Sequence, residues 1–563
     1  MGVFDWITTE NASTIRDPFK VARRGDSDEV LRSILERPEG TMRLWPKQLE
    51  ALTEIHRTRG LNGLLDVGEG KTLVGWLAVR VLGAPALICV PASLKSEFWK
   101  EVAKYKEHFN GPPDEHITLL SYSKLSSHKS ANILEELAPR IIICDETHTL
   151  NGDSTRARRF TSYMRAYPTT IFIWMSATAM GDTVGLARLS QFAHGEQSPL
   201  PDLNSHLLTS WARVLDKDGE PSVTDLRLFG VNTKRQACAR FYKHFSEARG
   251  VVCTQTEPNL IPLRLEYLDL PVPARIHETI MAIREAGETP WEEEVIVDEE
   301  QLWSIEKNLS AGFFYKWDWE AVGGYDEEWM LARKTWNRIL RSELDGEHRP
   351  GYDSRFLITN STIRDLNRDP TLAQSSEVHW AWVQWASIKD RVSPPSVVVW
   401  VDDFLLKDVE ARGRGIHWFN SSRAFEHTLP FRTFVGGSES PESYAPARVG
   451  ASISTHGTGK NLQGWHEATV IEPPSKANIW HQMLGRLHRN GQTREVTFFV
   501  YQHTEAYRRA LNSAIEEAKW LQNLNPLAPQ RLCQALNIIP SDPARQKTSS
   551  QIFLGRLAAN ITT

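Results

Sequence analysis

Short apolar runs, each closed by small, acidic or proline residues, recur through two stretches of the chain. Ala86-Leu87-Ile88-Cys89-Val90 ends at Pro91, and Ile117-Thr118-Leu119-Leu120 ends at Ser121-Tyr122-Ser123. Ile141-Ile142-Ile143-Cys144 ends at Asp145-Glu146, and Thr170-Ile171-Phe172-Ile173-Trp174-Met175 ends at Ser176-Ala177-Thr178. The runs do not alternate with polar residues, which predicts strands buried on both faces, as in a parallel sheet. Helical patterns fill the gaps, so the order predicts an α/β, doubly wound lobe over residues 41–195. The rhythm returns at Ser396-Val397-Val398-Val399-Trp400-Val401, with a helix over 404–412 and strand-like runs at Ile416–Phe419, 451–454 and 468–471. A second lobe of the same class is expected over 396–503.

Residues 196–395 lose this rhythm. They hold a Pro/Asp/Gly-rich piece (197–224), a basic, partly helical stretch (234–249), an acidic patch (291–300) and tryptophan-bearing helices near 302–319 and 329–344. A mainly helical insertion and linker is expected there. Residues 1–40 read as a short helical preface, and 504–563 as a closing helix over 504–525 with a loose polar tail.

Composition narrows the class. The 563 residues leave room for about three or four domains. Hydrophobic content of 41% with 24% charged residues fits a soluble protein with sizeable cores. No run approaches the ~18 apolar residues of a membrane span. Met1-Gly2-Val3-Phe4-Asp5-Trp6 lacks the basic-then-apolar order of a secretory signal. Gly2 suits myristoylation, but Trp6 stands where that signal has Ser or Thr. No membrane partner is therefore expected, and the expected location is cytoplasmic, nucleoid-associated or, for a viral protein, in the host cytoplasm. Cys89, Cys144, Cys238, Cys253 and Cys533 are scattered, which speaks against a disulfide framework or a zinc site. A net charge of −5 excludes a bulk-basic nucleic-acid binder, so any phosphate backbone must meet a local basic groove. Most of the 20 tryptophans read as core.

Candidate chemistry gathers at strand ends, where ligands bind in open α/β sheets. Leu64-Leu65-Asp66-Val67-Gly68-Glu69-Gly70-Lys71-Thr72 precedes the apolar positions Leu73, Val74, Trp76, Leu77 and Val79, an order that reads strand, glycine loop, helix. Gly68, Glu69 and Gly70 can wrap backbone N–H groups around a phosphate chain, because glycine permits close approach and a helix start favours anions. Lys71 would then reach the β- and γ-phosphates of ATP, and Thr72 would hold Mg²⁺. Leu65 stands where the full phosphate-loop pattern has its first glycine, so taken alone the short form also fits a plain glycine turn.

Upstream, Gln48 can offer its amide to an adenine edge as donor and acceptor, or simply begin a helix. Asp145 and Glu146 end a buried strand, where two carboxylates are costly unless a metal or partner answers them. In a nucleotide site Asp145 would hold Mg²⁺ through water, and Glu146 would orient or deprotonate the attacking water. Ser93 and Ser121 lie where a nucleic-acid phosphate can be met, and equally where helices are capped. In the second half, Gln482, Arg486 and Arg489 share one helix face. Two guanidinium groups suit a γ-phosphate held by another lobe; a solvated basic face is the plainer reading.

In this order, Gly68-Glu69-Gly70-Lys71-Thr72, Asp145-Glu146-Thr147-His148, Ser176-Ala177-Thr178 and Gln482-Met483-Leu484-Gly485-Arg486-Leu487-His488-Arg489 resemble the motifs of helicase superfamily two. Further stretches are similar to its Swi/Snf-like branch of DNA translocases. They are Val90-Pro91-Ala92-Ser93-Leu94 with Phe98-Trp99, Ser121-Tyr122, Gly457-Thr458-Gly459-Lys460-Asn461-Leu462 and His488-Arg489-Asn490-Gly491-Gln492. The resemblance covers residues 40–525 and is thin in the middle. It implies two RecA-like lobes with ATP and Mg²⁺ between them and DNA lying across both.

It further implies that Gln48 reads adenine, that Lys71 and Thr72 bind phosphate and Mg²⁺, and that Asp145 and Glu146 activate hydrolysis. Arg486 and Arg489 become arginine fingers, and Ser176 and Thr178 couple hydrolysis to lobe movement. Ser93, Ser121, Gly459 and Asn461 contact DNA or relay its presence. The branch usually has Gly-Thr-Pro in place of Ser176-Ala177-Thr178 and Ala in place of Thr147. Compact phage-type members share this minimal build. The expected function is an ATP-dependent DNA translocase on duplex DNA. A strand-separating or branch-migrating helicase on forked DNA is the alternative, and a non-hydrolysing clamp is a third reading. A monomer is expected, with 196–395 as the place for any protein partner.

Overall fold

Residues 24–127, 130–150, 154–177, 179–254, 261–345, 354–436, 439–457, 459–489, 491–525 and 530–537 are described by the computed structural model. Thr178, assigned to coupling above, lies outside them, as do 1–23 of the preface and the tail from 538. The chain is an α/β protein with two parallel sheets of six strands each. The first holds β1 (Leu61–Leu64), β2 (Ala86–Val90), β3 (Ile117–Ser121), β4 (Ile141–Asp145), β5 (Ile171–Met175) and β6 (Val251–Cys253), in the order β3-β2-β4-β5-β1-β6. After it come β7 (Leu263–Leu268), β8 (Phe313–Trp317) and β9 (Ser396–Trp400), then β10 (Ile416–Phe419), β11 (Thr433–Phe434), β12 (Val449–Ser452), β13 (Glu467–Val470) and β14 (Val496–Tyr501). The second sheet has the order β11-β12-β10-β13-β14-β7.

The unbroken apolar runs follow from two-sided burial. Successive strand residues point to opposite faces, and helices cover both. In the first sheet Leu87, Cys89, Ile142, Cys144, Phe172 and Trp174 pack into one layer. Their neighbours Ile88, Val90, Ile141, Ile143, Ile173 and Met175 pack into the other. Helix Lys71–Leu82 supplies Val74, Leu77 and Ala78 to the second layer, together with Leu31 and Leu35 of helix Arg24–Leu35. In the second sheet Trp418, Val470, Phe498 and Val500 share a core with Trp480 and Met483 of helix Ala477–Leu487 and Leu511 and Ala514 of helix Glu505–Leu524.

The sheets reach beyond the boundaries expected from the sequence. The first unit does not stop at 195. Helices His206–Leu215 and Lys234–Ser246 send Leu208, Val214, Phe241 and Phe245 into the same core as Phe172 and Trp174, and β6 pairs in parallel with β1. The second sheet likewise begins before 396, because β7 pairs in parallel with β14 from Leu263 to Leu268. Conversely β9, read above as its first strand, belongs to a two-stranded antiparallel ribbon with β8. A three-residue strand carries no readable period. The Val397-Val398-Val399 run is only half-buried, so its composition alone does not tell a ribbon from a sheet interior. Between β7 and β9 the chain forms helices Ala274–Ala286, Glu299–Ser310, Glu327–Asp345, Arg355–Arg368 and Glu377–Ile388.

One buried polar chain fastens the middle of the first sheet. The Asn62 side chain, fully buried in β1, accepts from Trp174 Nε1 at 2.7 Å and donates to Ser190 Oγ at 3.0 Å. Asn62→Leu strands both partners away from water, so it should destabilise the protein by about 2–4 kcal/mol. This is read as a lower urea midpoint; an unchanged midpoint contradicts the role given to this pair.

Candidate functional site

The loop after β1 is shaped by two glycines and braced from behind. Gly68 and Gly70 have φ of 92° and 75°, left-handed values that suit glycine. A Cβ on Gly70 would lie 2.4 Å from Gln48 Nε2. Gln48, on helix Pro46–Thr58, donates from Nε2 to Glu69 O at 3.0 Å and accepts at Oε1 from Trp45 N at 3.0 Å. Its amide therefore holds the loop as well as lining the cavity in front of it. Helix Lys71–Leu82 starts from Gly70 with no side chain capping its first turn, which leaves N–H groups there for a ligand.

Lys71 is buried, with Nζ 3.3 Å from both Leu65 O and Asp66 O and 3.5 Å from Glu146 Oε1. At the end of β4, Glu146 N donates to Asp145 Oδ1 at 2.9 Å, and Tyr122 Oη donates to Asp145 O at 2.7 Å. Glu146 has φ of 55°, a strained value for a non-glycine residue of the sort that functional sites maintain. Burial, and next the Glu146 carboxylate, push the Asp145 carboxyl above its ordinary range, and Lys71 opposes them. Thr147 is fully buried, with Oγ1 3.2 Å from Cys144 O and Met175 O. Its hydroxyl thus reaches strand-end carbonyls of both β4 and β5.

The second sheet brings helix Ala477–Leu487 against this face. Gln482 Nε2 lies 3.5 Å from Glu146 Oε2. Arg486 Nε donates to Gly457 O at 3.2 Å, and Nη1 lies 3.5 Å from Lys460 O. Burial pushes the Arg486 guanidinium down to about 10, which leaves it charged at neutral pH. Burial also lowers Arg489, against the opposing pull of Glu101. A Cβ on Gly68 would lie 3.7 Å from Arg489 Nη2, so this guanidinium faces the loop.

One cavity of about 500 Å³ is lined by Gln48, Gly68, Gly70, Lys71, Thr72, Asp145, Glu146, Arg486 and Arg489 together. Its size is that of a small-molecule site. Met42, Arg43 and Trp45 line it as well. Gly459 and Asn461, assigned above to DNA, line this cavity too. Gly459 has φ of 73°, and a Cβ there would fall 1.7 Å from Leu94 Cδ2 of the first unit. Asn461 N donates to Glu442 Oε1 at 2.5 Å. Ser121 and Ser176 lie apart from the cavity lining. Ser121 Oγ is 3.0 Å from Ser123 Oγ, and the buried Ser176 donates from its backbone N to Gly63 O at 2.9 Å. Ser93 sits in the turn Ala92–Leu94, and its side chain lies outside the description.

Asp145 and the Thr72 hydroxyl are hard oxygen donors of the kind magnesium takes, and the buried carboxyl of Asp145 is one a cation would answer. Among the described residues no cluster of three or more His, Cys, Asp or Glu could hold a metal by itself. These two residues fit an ion that takes its remaining ligands from phosphate and water. Compared with protein-family models and with curated proteins, the chain matches none. Gly70→Ala would force a strained φ worth about 1–3 kcal/mol and push on Gln48. If the cavity takes a nucleoside triphosphate, as the resemblance implies, this should weaken its binding about tenfold or more in a titration; unaltered affinity would contradict a cradling loop.

Proposed function

We propose that the cavity is an ATP site between two RecA-like lobes, and that the protein is a DNA-dependent ATPase that translocates along duplex DNA. One observation carries this reading. Lys71, Asp145 and Glu146 from the first sheet and Arg486 and Arg489 from the second line a single cavity, and Gln482, outside its lining, reaches Glu146. A nucleotide held by one half alone would not need the other half's arginines.

Lys71 is placed to neutralise the β- and γ-phosphates, and the helix start behind Gly70 to receive their oxygens. Thr72 and Asp145 would hold Mg²⁺, whose charge offsets that of the phosphates. Glu146 is the base that orients the attacking water, and Lys71 and Gln482 fix its carboxylate. Arg486 and Arg489 meet the charge that develops on the transferred phosphoryl group. Once the γ-phosphate is cut from ADP, the bond that joined what the two halves grip is gone, so the lobes part with products bound, and they close again when the products leave. Motion of this kind around a strand's phosphates steps the protein along DNA. Phosphate contacts carry no base code, so weak sequence preference and strong salt sensitivity are expected.

The test is steady-state ATP hydrolysis with single-stranded, duplex and forked DNA and with RNA side by side. Duplex DNA should stimulate turnover, and equal rates with and without DNA would remove the motor. Strongest stimulation by forks, with strand separation, would reassign the activity to a helicase. Glu146→Gln should keep ATP binding and slow turnover on the order of 10²–10⁴-fold; wild-type turnover would place the activating carboxylate elsewhere.

A further inference from the structure

Behind the phosphate loop lies a second meeting of buried charges that the proposed reaction does not use. Asp66 precedes the loop glycines, His481 lies on helix Ala477–Leu487, and Arg531 begins the short helix Arg531–Ala535. All three are almost wholly buried. His481 Nε2 is 2.7 Å from Asp66 Oδ1, and Arg531 Nη2 is 3.6 Å from Asp66 Oδ2. Arg531 N donates to His481 Nδ1 at 3.4 Å, so Nε2 is the nitrogen that donates to the carboxylate. Burial pushes the Asp66 carboxyl up, but His481 and Arg531 more than reverse this and hold it well below the usual carboxylate range.

The cluster also grips both ends of the crossing between sheets. Asp66 N donates to Thr254 Oγ1 at 3.1 Å, just past β6. Arg531 Nη1 donates to His488 O at 2.6 Å, and His488 Nε2 donates to Ile261 O at 2.8 Å, just before β7. Gly485 makes the approach possible. A Cβ there would lie 3.0 Å from Arg531 Nε and 3.2 Å from Val67 Cγ1. Every partner in this cluster is a protein group, so its attraction needs no ligand. Water is largely excluded, so salt screens it little.

We propose that Asp66, His481 and Arg531 form a clasp that holds the two sheets together without nucleotide, so that the phosphate loop and the Arg486–Arg489 segment are in register before ATP enters. Arg531 is a positioning residue: it acts on the loop through Asp66 and on the arginine-bearing helix through His481 and His488. This rests on reading the cavity as an ATP site, but its first test does not. Cysteines placed at the exposed Arg80 and Arg494, one on each unit, take spin labels, since the five native cysteines are buried. Pulsed-dipolar distances are then measured on the full chain.

The wild-type background without nucleotide should give one narrow distance distribution that a non-hydrolysable ATP analogue leaves in place. Asp66→Asn and Arg531→Met should each lengthen and broaden it, and the analogue should narrow it again. A broad wild-type distribution without nucleotide overturns the clasp, as do folded variants whose distances match wild type. The wild-type arm holds even if a variant fails to fold. Once hydrolysis is established, Arg531→Met should raise KM about tenfold with kcat kept, because binding must now supply the closure. A fall in kcat with KM unchanged would contradict positioning. If no hydrolysis is found but the distances behave as stated, the clasp stands and the ATPase reading falls.

Discussion

Charge taken out of water must be answered by opposite charge or by hydrogen bonds, or it destabilises the fold by several kcal/mol. That constraint organises the seam between the two sheets. Lys71 is answered by two loop carbonyls and Glu146, and Glu146 in turn by Gln482 from the other sheet. Arg486 is answered by the carbonyls of Gly457 and Lys460. Behind the loop, Asp66 is answered by His481 and Arg531. Lys71 and Arg486 are thus satisfied within their own units, whereas Glu146 with Gln482, and Asp66 with His481 and Arg531, are answered across the seam, and those contacts tie the halves together.

The parallel sheets explain why the charges collect there. All the strands of each sheet run one way, so the turns after β1 and β4 open on a common edge, and polar residues placed in those turns share one solvent-facing cleft. Two-sided burial then leaves the strand ends as the place where carboxylate and lysine side chains collect; His417, buried within β10, is pushed down to about 3 by that burial and stays neutral. Close docking of the second unit depends on missing side chains. Gly459 against Leu94 and Gly485 against Val67 let backbones approach where any Cβ would collide or crowd.

Much of this was legible in the sequence. Continuous apolar runs marked β2 to β5 and β10 because both faces of those strands are buried. Gly70, Lys71, Asp145, Glu146, Arg486 and Arg489 stood out because their residue types and order are hard to explain by packing. β6 and β7 were not legible. One is three residues long, and the other, Leu263-Arg264-Leu265-Glu266-Tyr267-Leu268, carries exposed polar positions at a sheet edge. The two sheets therefore extended into the stretch read as insertion. Gly459 and Asn461, expected by resemblance to contact DNA or relay its presence, also line the cavity. The Asp66–His481–Arg531 cluster joins Asp66 to two positions more than 400 residues further along the chain, and no spacing rule links them. Its one local sign was an aspartate inside the apolar run Leu64-Leu65-Asp66-Val67, a place where a carboxylate requires a buried partner.

The central claim is that catalytic charge is supplied from both sheets to one phosphate. It is tested most directly by single-turnover hydrolysis of ATP by Arg486→Ala, with nucleotide affinity measured in parallel. The account predicts affinity within a few-fold of wild type and a hydrolysis rate lower by on the order of 10³-fold, the scale of a lost arginine finger. Hydrolysis at the wild-type rate would contradict it, because the second sheet would then contribute nothing to the chemistry.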